Sequence, residues 1–474
     1  MTGSLRRGAP PPDAGRRVGA ATLVAYAVPG AGFAFYLFFV QFYFLKFASD
    51  VLLAAPAVIG ALMGVGRIWD ALSDPLVGHW SDRTRSRLGR RRPWMLFAIP
   101  LLGATFLMIW SPPASLSGTA LLAWSAAALF GFYTAFTLYT VPHQSLGAEL
   151  SLDHHERSRV FGAYRAAFVI GMMAAFLAIG AVESSDQPRE AAQRAAGTAV
   201  ATVSILLLGA PLWLRERKEH RGRGAERPFA ALSDVGRNPH ARLLLLAWLV
   251  DSLGGGVLGV LSPFVTEYVL ERPEAIAYVP AFFVVSSIVS IPVWIRLSQR
   301  FGKRGVWRTA LVISGLGFGG TWFVGPGDVA LLCGLLVVAG IAAGCGGVIG
   351  PSLLADAIDW DELASGQRKE GAYSAALGFV QKLGIGVVVV LAGWSLQRIG
   401  FVPNVPQSLP VRHALQAMFA FFPLVGGLLA AWVLGHLRLD AAEHARIRAS
   451  LDAADRGVRA RGHEEPVDVP GGSA

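Results

Sequence analysis

Asp70 and Asp74 stand four residues apart in RIWDALSDPLVGHW, residues 67–80, at the end of a long apolar run. On a helix that spacing puts both carboxylates on one face. Pro75 follows at once and removes the hydrogen bond that would reach the carbonyl of Ala71. Two carboxylates and a freed carbonyl make an oxygen-rich cluster, which suits a hard monovalent cation. A proton suits it equally, since two close carboxylates do not both ionise cheaply. An Asp inside the membrane costs roughly 2.5–3.5 kcal/mol on insertion scales, so these groups need partners. Arg67, three residues before Asp70, offers one, and a plain structural ion pair is the competing reading. A further cation, Lys382 in LGFVQKLGIGVVVV, lies inside another apolar run, where a lysine reads as a group facing the bundle interior.

The elements that hold these charges are apolar helices. The chain has 474 residues, of which 53% are hydrophobic and 16% charged. Its mean hydropathy is +0.48. Runs of about 20 residues, the length that crosses a bilayer as a helix, recur throughout. Twelve spans are predicted, at about 20–45, 55–78, 93–111, 118–142, 160–182, 196–214, 243–266, 276–295, 306–324, 328–353, 373–396 and 414–436. The fold class is therefore an all-α membrane protein of two six-helix bundles. Residues 20–214 form the first bundle and 243–436 the second. Between them lies a basic, polar central loop, 215–242, with tails at 1–19 and 437–474. The N-terminus shows no cleavable signal pattern.

Lys and Arg set the expected orientation. The side that carries both termini holds 33 of them and the opposite side six, which predicts an inner-membrane protein with both termini cytoplasmic. The same distribution explains the net charge of +10. The basic loops orient the chain and touch anionic lipid, so no nucleic-acid partner is expected. Cys333 and Cys345 are twelve residues apart on one predicted helix, about 18 Å, beyond disulfide reach. No P-loop, His-Glu-x-x-His or Gly-x-Ser-x-Gly motif is present, so neither ATP drive nor an enzyme is expected. No cofactor is expected, and no metal beyond Na⁺ as a coupling ion. A monomer is expected.

Internal similarity supports the two-bundle plan. RLGRRRPW follows the second span and RFGKRGVW the eighth. Gly78 and Asp82 in GHWSDRTRSRLGRRR resemble the loop signature of the major facilitator superfamily, although the gap to Gly89 is longer. In the second copy Gln299 stands in place of the acid. The resemblance becomes specific in three motifs: RIWDALSDPLVGHWSDRTRSRLGRRRPW, VPHQSLGAELSLDHHERSRVFGAYR and LLADAIDWDELASGQRKEGAYSAALGFVQKLG. Together they resemble the glycoside–pentoside–hexuronide:cation symporters, over essentially the whole chain and in the right order.

That resemblance implies a twelve-helix major facilitator fold and cation-coupled uptake of a small solute, most simply a sugar or glycoside. It implies that Asp70, Asp74, Ser73 and Thr137 bind the cation. Lys382, with Arg67, would balance charge when the cation is absent. It places Arg165 near the sugar. The family's galactoside carriers hold their sugar with acids on helices 1 and 4, where this chain has Gly30, or a close neighbour, and Thr140. Tyr26 and Tyr133 are the aromatic candidates for the same site. Asp251, in LAWLVDSLGGGVLG, reads either as a substitute for a missing acid or as a helix-end residue near water. Asp82, Arg90, Glu149, Asp356 and Asp359 read as a salt-bridge gate that opens as the bundles rock. The family also resembles eukaryotic lysophospholipid transporters, so a lipid-like substrate is the second reading. A non-transporting receptor or scaffold is the rival from another class.

Overall fold

The structure is a computed structural model. It describes residues 17–151, 153–214, 216, 235–366, 369–439, 443–451 and 453. Most of both predicted tails and most of the central loop lie outside the described residues. Every long element among the described residues is a helix, as a chain without water around its backbone requires.

Among the described residues twelve rods follow one another: α1 (Ala20–Asp50), α2 (Pro56–Arg83), α3 (Arg92–Trp110), α4 (Gly118–Glu149), α5 (His154–Glu183), α6 (Pro188–Trp213), α7 (Pro239–Tyr268), α8 (Pro273–Val289 continued by Ile291–Phe301), α9 (Lys303–Gly320), α10 (Val329–Ser365), α11 (Glu370–Arg398) and α12 (Leu409–Gly435). Nine of them are long and apolar enough to cross a membrane, or ten with α8 taken as one bent span. The other two are α2, which carries the charges, and α9, which begins on Lys303 and Arg304.

Proline decides several starts and one bend. It stands in the first turn of α2, α3, α6, α7 and α12, where a missing N–H is harmless. α8 bends by 45° at Ser290, because Pro292 cannot donate to the preceding turn. Several helices outrun their predicted spans. α10 continues to Ser365, where Gly366 at φ 68° ends it in the left-handed conformation.

Twelve alternating rods put the start of α1 and the end of α12 on one side, here the termini face; the other side is the far face. The two bundles meet along three lines: α2 on α11, α1 on α7, and α5 on the start of α8. The α2–α11 line is held by glycine. A Cβ at Gly60 would lie 2.8 Å from the carbonyl of Val389 and 3.0 Å from the Cα of Gly393. One at Gly64 would lie 2.6 Å from the carbonyl of Gly386. Only residues without a side chain let the two backbones approach so closely.

Candidate functional site

α2 delivers Arg67, Asp70, Ser73 and Asp74 to one face, as their three- and four-residue spacing requires. α4 brings Thr137 opposite. Its hydroxyl oxygen lies 2.8 Å from Asp70 Oδ1 and 3.3 Å from Asp74 Oδ1. Ser73 Oγ lies 3.3 Å from the same hydroxyl and 3.1 Å from the Asp70 carbonyl. The two acids, the threonine and the serine therefore form one oxygen cluster.

The cation that closes this cluster comes from the other bundle. Lys382 Nζ, on α11, lies 2.5 Å from Asp74 Oδ2 and 3.0 Å from Asp70 Oδ2. Arg67 Nη1 lies 3.4 Å from Asp70 Oδ2. Two carboxylates thus meet two cations. Burial distinguishes the acids. The Asp70 side chain is 0% exposed and that of Asp74 33%. Asp74 and Lys382 are the wet side of the cluster and Asp70 its sealed end.

The sequence reading missed Gln41, an uncharged residue in the aromatic run of α1. Its Oε1 accepts from Arg67 Nη2 at 3.0 Å. Tyr133 is buried beneath Arg67, whose guanidinium carbon sits 5.5 Å from the ring centroid. Tyr133 therefore orients Arg67 through its ring.

The other expected solute residues are not gathered around the pair. Tyr26 is buried, stacked on His143 at 4.6 Å and packed against Gly147. Thr140 is buried, and its hydroxyl donates to the carbonyl of Phe136 at 2.9 Å on its own helix. A Cβ at Gly30 would lie 2.9 Å from the carbonyl of Tyr164, so this close approach of α1 to α5 leaves no room for an acid. Arg165 is exposed, with its guanidinium 5.3 Å from the Phe168 ring.

The expected gate residues divide into two groups. Asp82 accepts from Arg91 Nη2 at 2.7 Å, and Glu149 takes both Arg90 and Arg91, the latter at 2.6 Å. Glu216 joins them, accepting from the backbone N–H groups of Arg90 and Arg91 at 2.8 and 2.9 Å. In the other bundle Asp356 meets Lys303 at 2.7 Å, and Asp359 meets His444 at 3.1 Å and Arg448 at 3.6 Å. Each of these pairs stays on its own side of the molecule.

A cluster that does cross between the bundles lies at the far face. Lys46 Nζ sits 2.8 Å from Glu183 and 3.2 Å from Asp50, and it also pairs with Glu267 of α7. Tyr268 donates to Asp50 Oδ2 at 2.9 Å, and Asn404 Nδ2 to the Asp50 carbonyl at 2.7 Å. The only sequence signal was acids and a lysine at the outer ends of three spans.

Comparison with known proteins gives the family. The family described as MFS/sugar transport protein matches residues 25–441. The chain is 27% identical to an uncharacterized symporter, sll1374, of Synechocystis sp., over 91% of this chain and 96% of that one. It is 25% identical to the isoprimeverose transporter of Lactiplantibacillus pentosus, over 85% of each. With the sodium-dependent lysophosphatidylcholine symporter 1 of Xenopus tropicalis it shares 23% identity over 59% of this chain and 60% of that one. The fold matches the crystal structure of a D-xylose-proton symporter with a TM-score of 0.64 at 14% identity, over 88% of this chain and 97% of that one. These relatives are transporters rather than enzymes. The chain belongs to the MFS/sugar transport family, a multi-pass membrane transporter of the glycoside–pentoside–hexuronide:cation symporter type.

Proposed function

We propose that the chain is a secondary active symporter that couples inward movement of Na⁺ or H⁺ to uptake of a sugar or glycoside by alternating access. One observation carries this reading: the Lys382 ammonium bridges Asp70 and Asp74 from the opposite bundle. A cation taken up by Asp70, Asp74, Thr137 and Ser73 competes with that ammonium for the same oxygens. Binding it loosens a tie between α2 and α11. Cation occupancy then biases the bundle rearrangement, and by linkage solute tightens cation binding by the factor by which cation tightens solute. Arg67 stays on Asp70 in either state, held by Gln41 and Tyr133. The termini face is the cytoplasmic one in this reading, as the Lys and Arg distribution requires. The active unit is a monomer in the inner membrane.

A second reading, a lysolipid-like substrate, has one observation of its own. A groove of about 660 Å³ is lined mainly by apolar residues of α1, α5 and α6 such as Phe35, Ile170 and Leu206. Its size suits an acyl chain.

Thermal stability of the purified protein against Na⁺, Li⁺, pH, glycosides, pentoses and lysophospholipids separates these readings. A ligand at 100 times its Kd stabilises by about 2.7 kcal/mol. We expect a Na⁺ or pH response that Asp74→Asn removes, and a neutral sugar that adds to it. A response to lysophospholipid alone favours the second reading. Normal coupled transport by Asp74→Asn overturns the cation site, and silence to every cation and solute moves the chain to the scaffold reading.

A further inference from the structure

Resting on the symport reading, we infer that the solute binds in the second bundle, where the Asp251 carboxylate accepts its hydroxyl donors, and that the transporter selects neutral polyhydroxy solutes over anionic ones.

Asp251 lies in the interior of α7 and is half-buried. No described hydrogen bond or ion pair reaches its carboxylate. A partnerless carboxylate inside a helical bundle is costly, and such groups mark solute or ion pathways. It lines a cavity of about 330 Å³ with Gln41, Ser252, Ser314, Gln381 and Phe318. A few convergent polar groups against an aromatic wall are what a sugar site needs. The volume and polarity do not suit an acyl chain. Gln381 is exposed within α11, and its amide offers both a donor and an acceptor.

Two covalent or hydrogen-bonded links run from this cavity to the cation cluster. Gln41 lines the cavity and also accepts from Arg67 at 3.0 Å, and Arg67 holds Asp70. Gln381 immediately precedes Lys382, whose ammonium bridges both acids. A solute that engages Gln41 and Gln381 therefore acts on both cations that face Asp70 and Asp74. A second cavity of about 370 Å³ between α10 and α11, lined by Pro351, Ile358, Ser374 and Gln381, shares Gln381 with the first. Its lining runs along α11 from Glu370, at the termini-face end, to the same glutamine. Asp251 is the one acidic residue among those lining this cavity.

The carboxylate also sets the class of solute. It accepts from hydroxyl or ammonium groups and repels a carboxylate or phosphate brought beside it. Neutral sugars fit; uronates do not.

The test is thermal-shift and equilibrium binding on the purified full chain with D-xylose, isoprimeverose and D-glucuronate, with and without Na⁺ and across pH. Wild type is expected to bind a neutral sugar at least tenfold more tightly than D-glucuronate. Asp251→Asn is expected to weaken the neutral sugar at least tenfold while its cation response stays within twofold of wild type. Gln381→Ala, on the exposed cavity wall, is expected to weaken it severalfold and serves if Asp251→Asn does not fold. Unchanged sugar affinity in both variants overturns the inference, and so does glucuronate binding as tight as that of neutral sugar. In either case an intact cation response leaves the symport reading standing. Loss of the cation response in wild type, or a response to lysophospholipid with none to sugar, overturns the symport reading and this inference together.

Discussion

At the far face a charged cluster on Lys46 and Asp50 reaches from one bundle to the other through Glu267, Tyr268 and Asn404; at the termini face the ion pairs of Asp82, Glu149, Asp356 and Asp359 stay inside a bundle. Lys46 ties α1 to α5 and to α7, and Tyr268 and Asn404 reach from the second bundle to Asp50. Asp82, Glu149 and Glu216 gather Arg90 and Arg91 within the first bundle, and Asp356 and Asp359 gather Lys303, His444 and Arg448 within the second. A contact that crosses must break when the bundles rock, whereas a contact inside a bundle travels with it. The structure is therefore the state closed at the far face. The cross-bundle cluster and the glycine contacts of α2 with α11 hold it closed, and the intrabundle pairs keep each set of helix ends together through the cycle. Lys382 belongs to both descriptions: it crosses like the far-face contacts, but it holds the groups that a cation would occupy.

Lys46 carries the largest expected effect. Its side chain is 5% exposed, and three carboxylates depend on it. Removing one partner of a buried charge cluster costs about 3–5 kcal/mol. Lys46→Met is expected to open the far face, with solute uptake falling by more than a hundredfold. Maleimide labelling of a cysteine introduced near Asn404 is the readout, against a low background because Cys333 and Cys345 are buried. A Lys46→Met protein that labels and transports like wild type would show that this cluster does not seal the far face.

Gly64→Leu tests the other half of the seal without touching charge. The first atom of the new side chain would meet the Val390 side chain and the Gly386 carbonyl. Overpacking costs typically 1–3 kcal/mol, all of it in the closed state. That corresponds to a population shift of roughly 5–150-fold toward the state open at the far face. Gly162 faces open space, so Gly162→Leu is the control and should leave labelling unchanged.

Glu267→Gln and Tyr268→Phe remove single cross-bundle contacts. Glu267 is more exposed than its partners, at 26% for the side chain. Each change is expected to cost about 1.5–3 kcal/mol or less, as for hydrogen bonds to charged groups. Labelling should rise in both, by less than in Lys46→Met. Equal effects in all three variants would mean that the cluster opens as a unit, so that the loss of any one contact unseals the far face.

The same contrast explains what was legible in the sequence. Asp70, Asp74 and Lys382 stand out because charge is rare in apolar runs, and the spacing of the acids fixes their shared face. Thr137 and Ser73 were named through the family motif, since hydroxyls are common in membrane helices and carry no signal alone. Gln41 carried none either, although it positions Arg67. The far-face cluster was hidden because Lys46, Asp50, Glu183 and Glu267 each look like a charge at the end of a span. Only the meeting of α1, α5 and α7 makes them one group. Tyr26 and Gly30 were expected at the solute site. Their place is set by the rotation of α1 against α4 and α5, which brings Tyr164 of α5 over Gly30 and His143 of α4 under Tyr26. Helices apolar on every side leave that rotation unwritten in their pattern.

Lys303→Gln, inside the second bundle, gives the smallest expected effect. It removes the ion pair with Asp356, whose partner ammonium is 35% exposed. A pair so open to solvent is worth about 0–1 kcal/mol. Asp356 keeps His444 at 3.5 Å as a second neighbour. The contact lies within the second bundle, so its loss lowers the stability of both transport states alike. Far-face labelling should match wild type, uptake should change by less than about threefold, and the thermal midpoint should fall by a few degrees at most. A large rise in far-face labelling from this variant would show that the termini-face pairs also bias the rocking equilibrium, and the division between crossing and non-crossing contacts would no longer describe how the two states are balanced.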